Sequence, residues 1–198
     1  FAAPSRVRVW APSGIPRSIC MDPVARMAAE DYLLRLFGAG LHSQRRGSGK
    51  SGQISVYRPG PEIVERSAVR LHADGIAEIR CTAGLPARGR RILGQEARAL
   101  LLEDLPSAGE RLAAAGSSAG LEEQVASVRD QHSLRDQLTR NGLVAFVANG
   151  SKLPRASGVS QDPLEGATPF VSPSSMEVCL STPRGEVRGL GIRAGVTL

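Results

Sequence analysis

Val69-Arg70-Leu71-His72-Ala73-Asp74-Gly75-Ile76-Ala77-Glu78-Ile79-Arg80-Cys81-Thr82 decides the fold class. Val69 and Leu71 alternate with Arg70 and His72, Asp74-Gly75 supplies a type I′ turn, and Ile76 to Thr82 returns, which predicts an antiparallel hairpin. Upstream, Arg6, Val7, Arg8 and Val9 alternate in the same way, so that strand has one polar face. Ile54 and Val56 alternate with Ser55 and Tyr57, and Pro59-Gly60-Pro61 ends the run.

Helices interleave with these strands. Asp22-Pro23 is a helix start, with Asp as N-cap and Pro at the first helical position, and Gly38 follows Phe37 where a C-terminal cap would sit. Gln95 to Leu102 reads as helix, Pro106 opens a second, and Leu121 to Arg140 forms a third that closes at Asn141-Gly142. Gly116-Ser117-Ser118 is the one candidate linker. Then come an apolar strand, Leu143 to Ala148, a long Gly/Pro/Ser loop from Asn149 to Pro173, and strands near Met176 to Leu180 and Val187 to Ile192. Segregated strands and helices predict an α+β fold with a mixed or antiparallel sheet.

Composition sets the outer bounds. The 198 residues, 41% hydrophobic and 22% charged, suffice for a folded core and exclude a disordered chain. No apolar run approaches the roughly 20 residues of a membrane helix, so no membrane partner is expected. Cys20, Cys81 and Cys179 are far apart and lack metal-ligand spacing, and read as small buried hydrophobes in a reducing intracellular compartment, cytoplasm or organelle matrix. Residue 1 is Phe without a signal pattern, and Gly195-Val196-Thr197-Leu198 looks like the opening of a buried strand, so the chain reads as an internal piece of something longer.

The net charge is +6, and Lys50 and Lys152 are the only lysines among 25 basic residues. Arg presents a planar fork that matches phosphate, which makes nucleotide or nucleic acid a candidate partner class beside the plainer reading of GC-rich codon usage. Three Gly-framed basic stretches follow from this. Gly47-Ser48-Gly49-Lys50-Ser51 ends like a phosphate-binding P-loop, but Gln44 stands where that pattern needs Gly, and a polar loop rather than a buried strand precedes it. It reads as a mobile basic loop spanning His42 to Gly52. In Gly84 to Arg91 the three arginines Arg88, Arg90 and Arg91 crowd the start of the Gln95 helix, where an anion would meet Arg forks and a helix N-terminus together. Asn149 to Gly158 follows a buried strand and offers Lys152, Arg155, Ser157 and Gly158. His42, His72 and His132 show no ligand or triad spacing, and neither a catalytic nor a metal motif is present. Scattered aromatics, 4% of the chain, argue against base-stacking platforms.

Phe1 to Arg6, Lys50 to Ile54, Gly84 to Gly94, the Leu143 to Gly158 string LVAFVANGSKLPRASG, Pro169 to Pro173 and Gly189 to Leu198 together resemble the ATPases of the ABC class. The resemblance implies an N-terminal accessory domain over 1–168, with 169–198 as the first strands of a P-loop ABC-type ATPase core that stops just before the Walker A loop. It places Lys50-Ser51-Gly52 outside the nucleotide site. It implies ATP and Mg2+ as cofactors of the full-length protein, none bound by this fragment alone, and ATP hydrolysis by paired nucleotide domains. The implied partners are the downstream core of the same chain, a second copy in a homodimer, and RNA, with which some relatives are associated. Arg88, Arg90, Arg91, Lys152, Arg155, Ser157 and Gly158 are then the candidates for contact with nucleotide, another anion or RNA. Asn149 departs from the family pattern, which has an acidic residue there, and the Ala- and Gly-rich stretch near Ala113 to Gly120 is an insert. A stand-alone basic nucleic-acid-binding module and a purely structural domain are the competing classes.

Overall fold

The computed structural model describes residues 3–41 and 46–195. His42, Gln44, Phe1-Ala2 and the expected strand opening at Val196-Thr197-Leu198 lie outside the described residues. Contacts divide the chain into two compact units, 1–125 and 126–198.

The first unit is built on strand β4 (Ile76–Ala83). Strand β1 (Ser5–Pro12) pairs antiparallel along its whole length, from Ser5↔Ala83 to Pro12↔Ile76. Strands β2 (Ile54–Val56) and β3 (Val69–Leu71) also pair antiparallel with β4, at Val56↔Cys81 and Leu71↔Ala77 respectively. The predicted hairpin is present, but its turn differs. Asp74 does not take the positive φ that a type I′ turn requires, and Gly75 alone does, at 84°. His72 N–H bonds Ile76 O, so the loop has three residues, with Gly75 in the left-handed position of a bulged turn.

Alternation along β4 sends Ala77, Ile79, Cys81 and Ala83 into the core. They meet helix α2 (Pro23–Gly40), which follows a short helix α1 (Arg17–Met21) and buries Ala25, Ala28, Leu33, Leu34 and Phe37. Burying a side chain such as Phe37 contributes roughly 1.5–3 kcal/mol. Asp22 caps α2 as expected, its carboxylate accepting from Val24 N–H at 3.0 Å and Ala25 N–H at 3.2 Å. The helix continues two residues past Gly38, because Leu41 N–H returns to Gly38 O and closes the last turn there.

Helical backbone then runs through 94–117. It comprises α3 (Gly94–Ala99), a π turn at Leu100–Asp104, α4 (Leu105–Glu110) and a 3-10 turn at Arg111–Ser117. The π turn is closed by Leu105 N–H on Leu100 O, and both leucines are buried. Gly116-Ser117-Ser118 is not a free linker. Gly116 N–H bonds Ser13 O, and Ser118 bonds Tyr32 Oη at 2.6 Å. Helix α5 (Ala119–Arg140) follows, and the division between units falls within it.

In the second unit α5 ends at Asn141-Gly142, with Gly142 at φ 65°. Strands β7 (Leu143–Ala148), β8 (Glu177–Thr182) and β9 (Gly185–Arg193) form an antiparallel sheet in the order β7-β9-β8. Gln137 on α5 fixes β8 by accepting from Ser181 N–H and donating to Ser181 O at 2.6 Å. The mixed α+β class expected from the sequence is thus observed, and among the described residues no helix is long and apolar enough to cross a membrane. Cys20 and Cys81 are buried as expected, whereas Cys179 on β8 is exposed.

Candidate anion-binding loops

Arg88, Arg90 and Arg91 lie on a hairpin of their own rather than on a plain connection into the following helix. Strands β5 (Ala87–Arg88) and β6 (Arg91–Ile92) pair antiparallel, with Gly89-Arg90 as the turn between them. Gly89 takes φ 59° at the first central position, where a two-residue hairpin turn demands a residue without Cβ. Arg88 and Arg91 are direct cross-strand partners, so their side chains leave the same face of the ribbon. All three arginines are exposed, and among the described residues none has an acidic partner. Two cations set opposite each other without a carboxylate repel, and an anion between them relieves that repulsion.

The Gly47 to Ser51 stretch, expected to be a mobile basic loop, is held along its length from Arg46 onward. Arg46 reaches Asp104 at 2.9 Å and Glu96 at 3.7 Å. Ser51 is buried, and its Oγ donates to Ala87 O and accepts from Ala87 N–H, both at 3.2 Å. Ser48 N–H donates to Ala87 O at 3.0 Å, and Gly89 N–H donates to Ser48 Oγ at 3.3 Å. The two loops meet so closely that a Cβ on Gly84 would stand 2.0 Å from Lys50 O, and one on Gly47 2.2 Å from Ala87 O. Their junction with β1 leaves a cavity of about 470 Å3 lined by Ser5, Ser48, Lys50, Leu85 and Gly89. The hydroxyl that a P-loop would present to Mg2+ is committed here to Ala87, so this loop does not fit a nucleotide's phosphates.

In the second unit the loop after β7 carries Lys152, Arg155, Ser157 and Gly158, all exposed. Arg155 bridges to Pro163, Leu164 N–H bonds Pro154 O, and Ser157 Oγ accepts from Ser160 N–H at 3.1 Å. The root of the loop is anchored by Gly150 N–H on Phe170 O and Phe170 N–H on Ser151 O. The candidate residues therefore form two groups, one in each unit.

Residues 1–116 match the family described as the N-terminal region of ATPases of the ABC class, more than half of the chain, and residues 117–198 match the P-loop domain of an ABC ATPase. The chain belongs to the ABC-class ATPases. No curated protein matches it. The two matches meet at Gly116/Ser117, where Gly116 N–H holds Ser13 O.

Two clusters in this ABC-class ATPase escape sequence reasoning. On the outer face of the N-terminal sheet, Glu78 is buried against Arg80 Nε at 2.9 Å, His72 Nε2 at 3.5 Å and Arg8 Nε at 3.6 Å. The Arg80 hydrogen bond foremost holds its carboxyl below the usual range, and His72 stacks on Trp10 with 5.1 Å between ring centres. In the second unit, Asn149 and Ser172 both donate to Glu177 Oε2 at 3.0 Å and likewise lower its carboxyl. The polar alternation of β1 and of the predicted hairpin, which holds Arg8, His72, Glu78 and Arg80, is the signal for the first cluster. Nothing local signals the second, whose members are 28 positions apart in the chain at their widest.

Proposed function

We propose that the full-length protein binds and hydrolyses ATP with Mg2+, and that the Arg88, Arg90 and Arg91 hairpin, with Lys152, Arg155, Ser157 and Gly158, contacts phosphate oxygens. Those oxygens belong to a nucleotide or to an RNA backbone. The observation that carries the anion contact is the Arg88↔Arg91 cross-strand pair without an acidic neighbour among the described residues. Arg supports it chemically, because its guanidinium fork donates two parallel hydrogen bonds to a phosphate and keeps its charge at every physiological pH. Membership of the ABC-class ATPases supports the nucleotide chemistry.

The test is the triple substitution Arg88→Ala, Arg90→Ala, Arg91→Ala in the full-length protein, with ATP turnover and RNA affinity both measured. A raised KM for ATP places the nucleotide at the hairpin. A weakened RNA complex whose affinity falls less steeply with salt than that of the parent places the RNA backbone there. Unchanged turnover and unchanged RNA affinity would falsify the anion contact.

A further inference from the structure

We infer that the Gly47-Ser48-Gly49-Lys50-Ser51 loop is a clamp that takes no phosphate itself, and that Ser48 and Ser51 are positioning residues for Arg88 and Arg91. This role rests on the phosphate contact proposed for the hairpin. A ribbon of two-residue strands is marginal on its own in water. Among the described residues it has no other strand beside it. Beyond the Leu93 N–H bond to Pro86 O at its base, its backbone is held at the peptide of Ala87, by Ser51 Oγ at both the N–H and the carbonyl, and by Ser48 N–H and Oγ at the carbonyl. Ser48 Oγ then takes Gly89 N–H, the first residue of the turn. Arg88 is thus bracketed on both sides by serine contacts, and Arg91 is carried opposite it by the pairing. The loop is fixed in turn, with Arg46 N–H on Ser51 O at 3.1 Å and Gly52 N–H on Gly84 O at 2.7 Å. The Lys50 side chain is exposed and, among the described residues, makes no ion pair, so its charge has no part in the clamp.

The experiment uses the full-length ATPase. Amide hydrogen exchange is followed at Ala87 and Gly89, with Ile79 and Cys81 as internal references, and binding of Mg·ATP and of a single-stranded RNA is measured in parallel. Ser48→Ala with Ser51→Ala is expected to lower protection at Ala87 and Gly89 by about tenfold while Ile79 and Cys81 keep theirs. It should also weaken whichever ligand Arg88→Ala with Arg91→Ala weakens. Ser48→Ala alone, which removes the Gly89 acceptor and the Ser48 Oγ donor to Ala87 O but leaves both Ser51 contacts, carries the test should the double variant not fold, and Ser48→Thr should restore both readouts. Lys50→Ala should leave Mg·ATP binding within about twofold of the parent, as for a solvated surface charge. Lost protection with intact affinity overturns the positioning role, and loss of Mg·ATP binding in Lys50→Ala shows the loop to be a phosphate site in its own right. Unchanged affinity in the arginine variant removes the proposed contact and this role with it, while the exchange data still decide whether the clamp exists.

Discussion

Asn149 and Glu177 are joined side chain to side chain: the Asn149 amide donates to Glu177 Oε2 at 3.0 Å, and its carbonyl accepts Ser172 N–H at 2.7 Å. One residue thereby ties the start of the long loop to its end and to the head of β8. An acid here could still accept from Ser172, but it would face Glu177 with a second negative charge. Asn149→Asp is therefore expected to lower the thermal unfolding midpoint at pH 7. In the parent, Glu177 is held low, so its contribution is complete above the ordinary carboxylate range near about 4.3 and is lost as pH falls through its lower folded value. In Asn149→Asp the slope reverses, because protonating one of two facing carboxylates relieves the repulsion. Unfolding curves at pH 7 and pH 5 check it, and a variant that loses more at pH 5 than at pH 7 contradicts the arrangement.

Glu78 gives a second pH dependence with the parent's sign. Arg8 and Arg80 are cross-strand partners, and Glu78 Oε1 lies against both guanidinium groups. Glu78→Gln leaves those cations facing each other, so its midpoint should fall below the parent's at pH 7. The ionised carboxylate stabilises the fold above the unfolded carboxylate range and ceases to do so as pH falls through its lowered folded value. The gap between parent and variant should therefore close below about pH 4. A gap that does not narrow as pH falls below the ordinary carboxylate range would mean that shape, not charge, is what Glu78 supplies.

Asp31 is the fully buried acid of α2. It accepts from Arg35 Nε at 2.7 Å, Arg66 Nη1 at 3.0 Å and Gln124 Nε2 at 3.0 Å. Truncating a buried ion-pair member strands its partners, at a cost of about 3–5 kcal/mol. Asp31→Ala should accordingly show a large loss in urea-unfolding free energy, and a loss below about 1 kcal/mol, the scale of an exposed pair, would show that solvent already screens this network.

The cysteines should separate by reactivity. Burial pushes the Cys81 thiol up to about 11; desolvation and the hydrogen bond to Glu186 raise the Cys179 thiol as well, so it is exposure on β8 that sets Cys179 apart. Native protein at pH 8 should release one equivalent of thiol to a disulfide reagent promptly, with Cys20 and Cys81 following only on denaturation. Prompt reaction at Cys81 would mean that the N-terminal sheet opens readily.

Local chemistry made much of the fold readable. The Asp22-Pro23 cap, the alternation of β1 to β4, the apolar run of β7 and the Asn141-Gly142 stop each rest on a few adjacent residues, and each is present. The sites are less legible because they depend on distant partners. Arg88, Arg90 and Arg91 are evident as a cluster, but the serines that contact their hairpin at Ala87, Ser48 and Ser51, lie nearly forty residues earlier. A P-loop pattern casts Lys50 and Ser51 as phosphate and Mg2+ ligands, whereas Ser51 and Ser48 hold a backbone peptide here. Cys179 departs from the expected burial, since a small apolar side chain on a three-stranded sheet sits equally well on either face.

The π turn at Leu100–Asp104 gives this segment room to lose a residue. Leu105 N–H reaches back five residues to Leu100 O, where an α-helix reaches back four, so deleting one residue from Leu101 to Glu103 would close an ordinary helical turn with its flanks near their original bearings. Asp104 would then still face Arg46. A single-codon deletion should be absorbed there, whereas the same deletion inside α2 would turn every later side chain of that helix by about 100°.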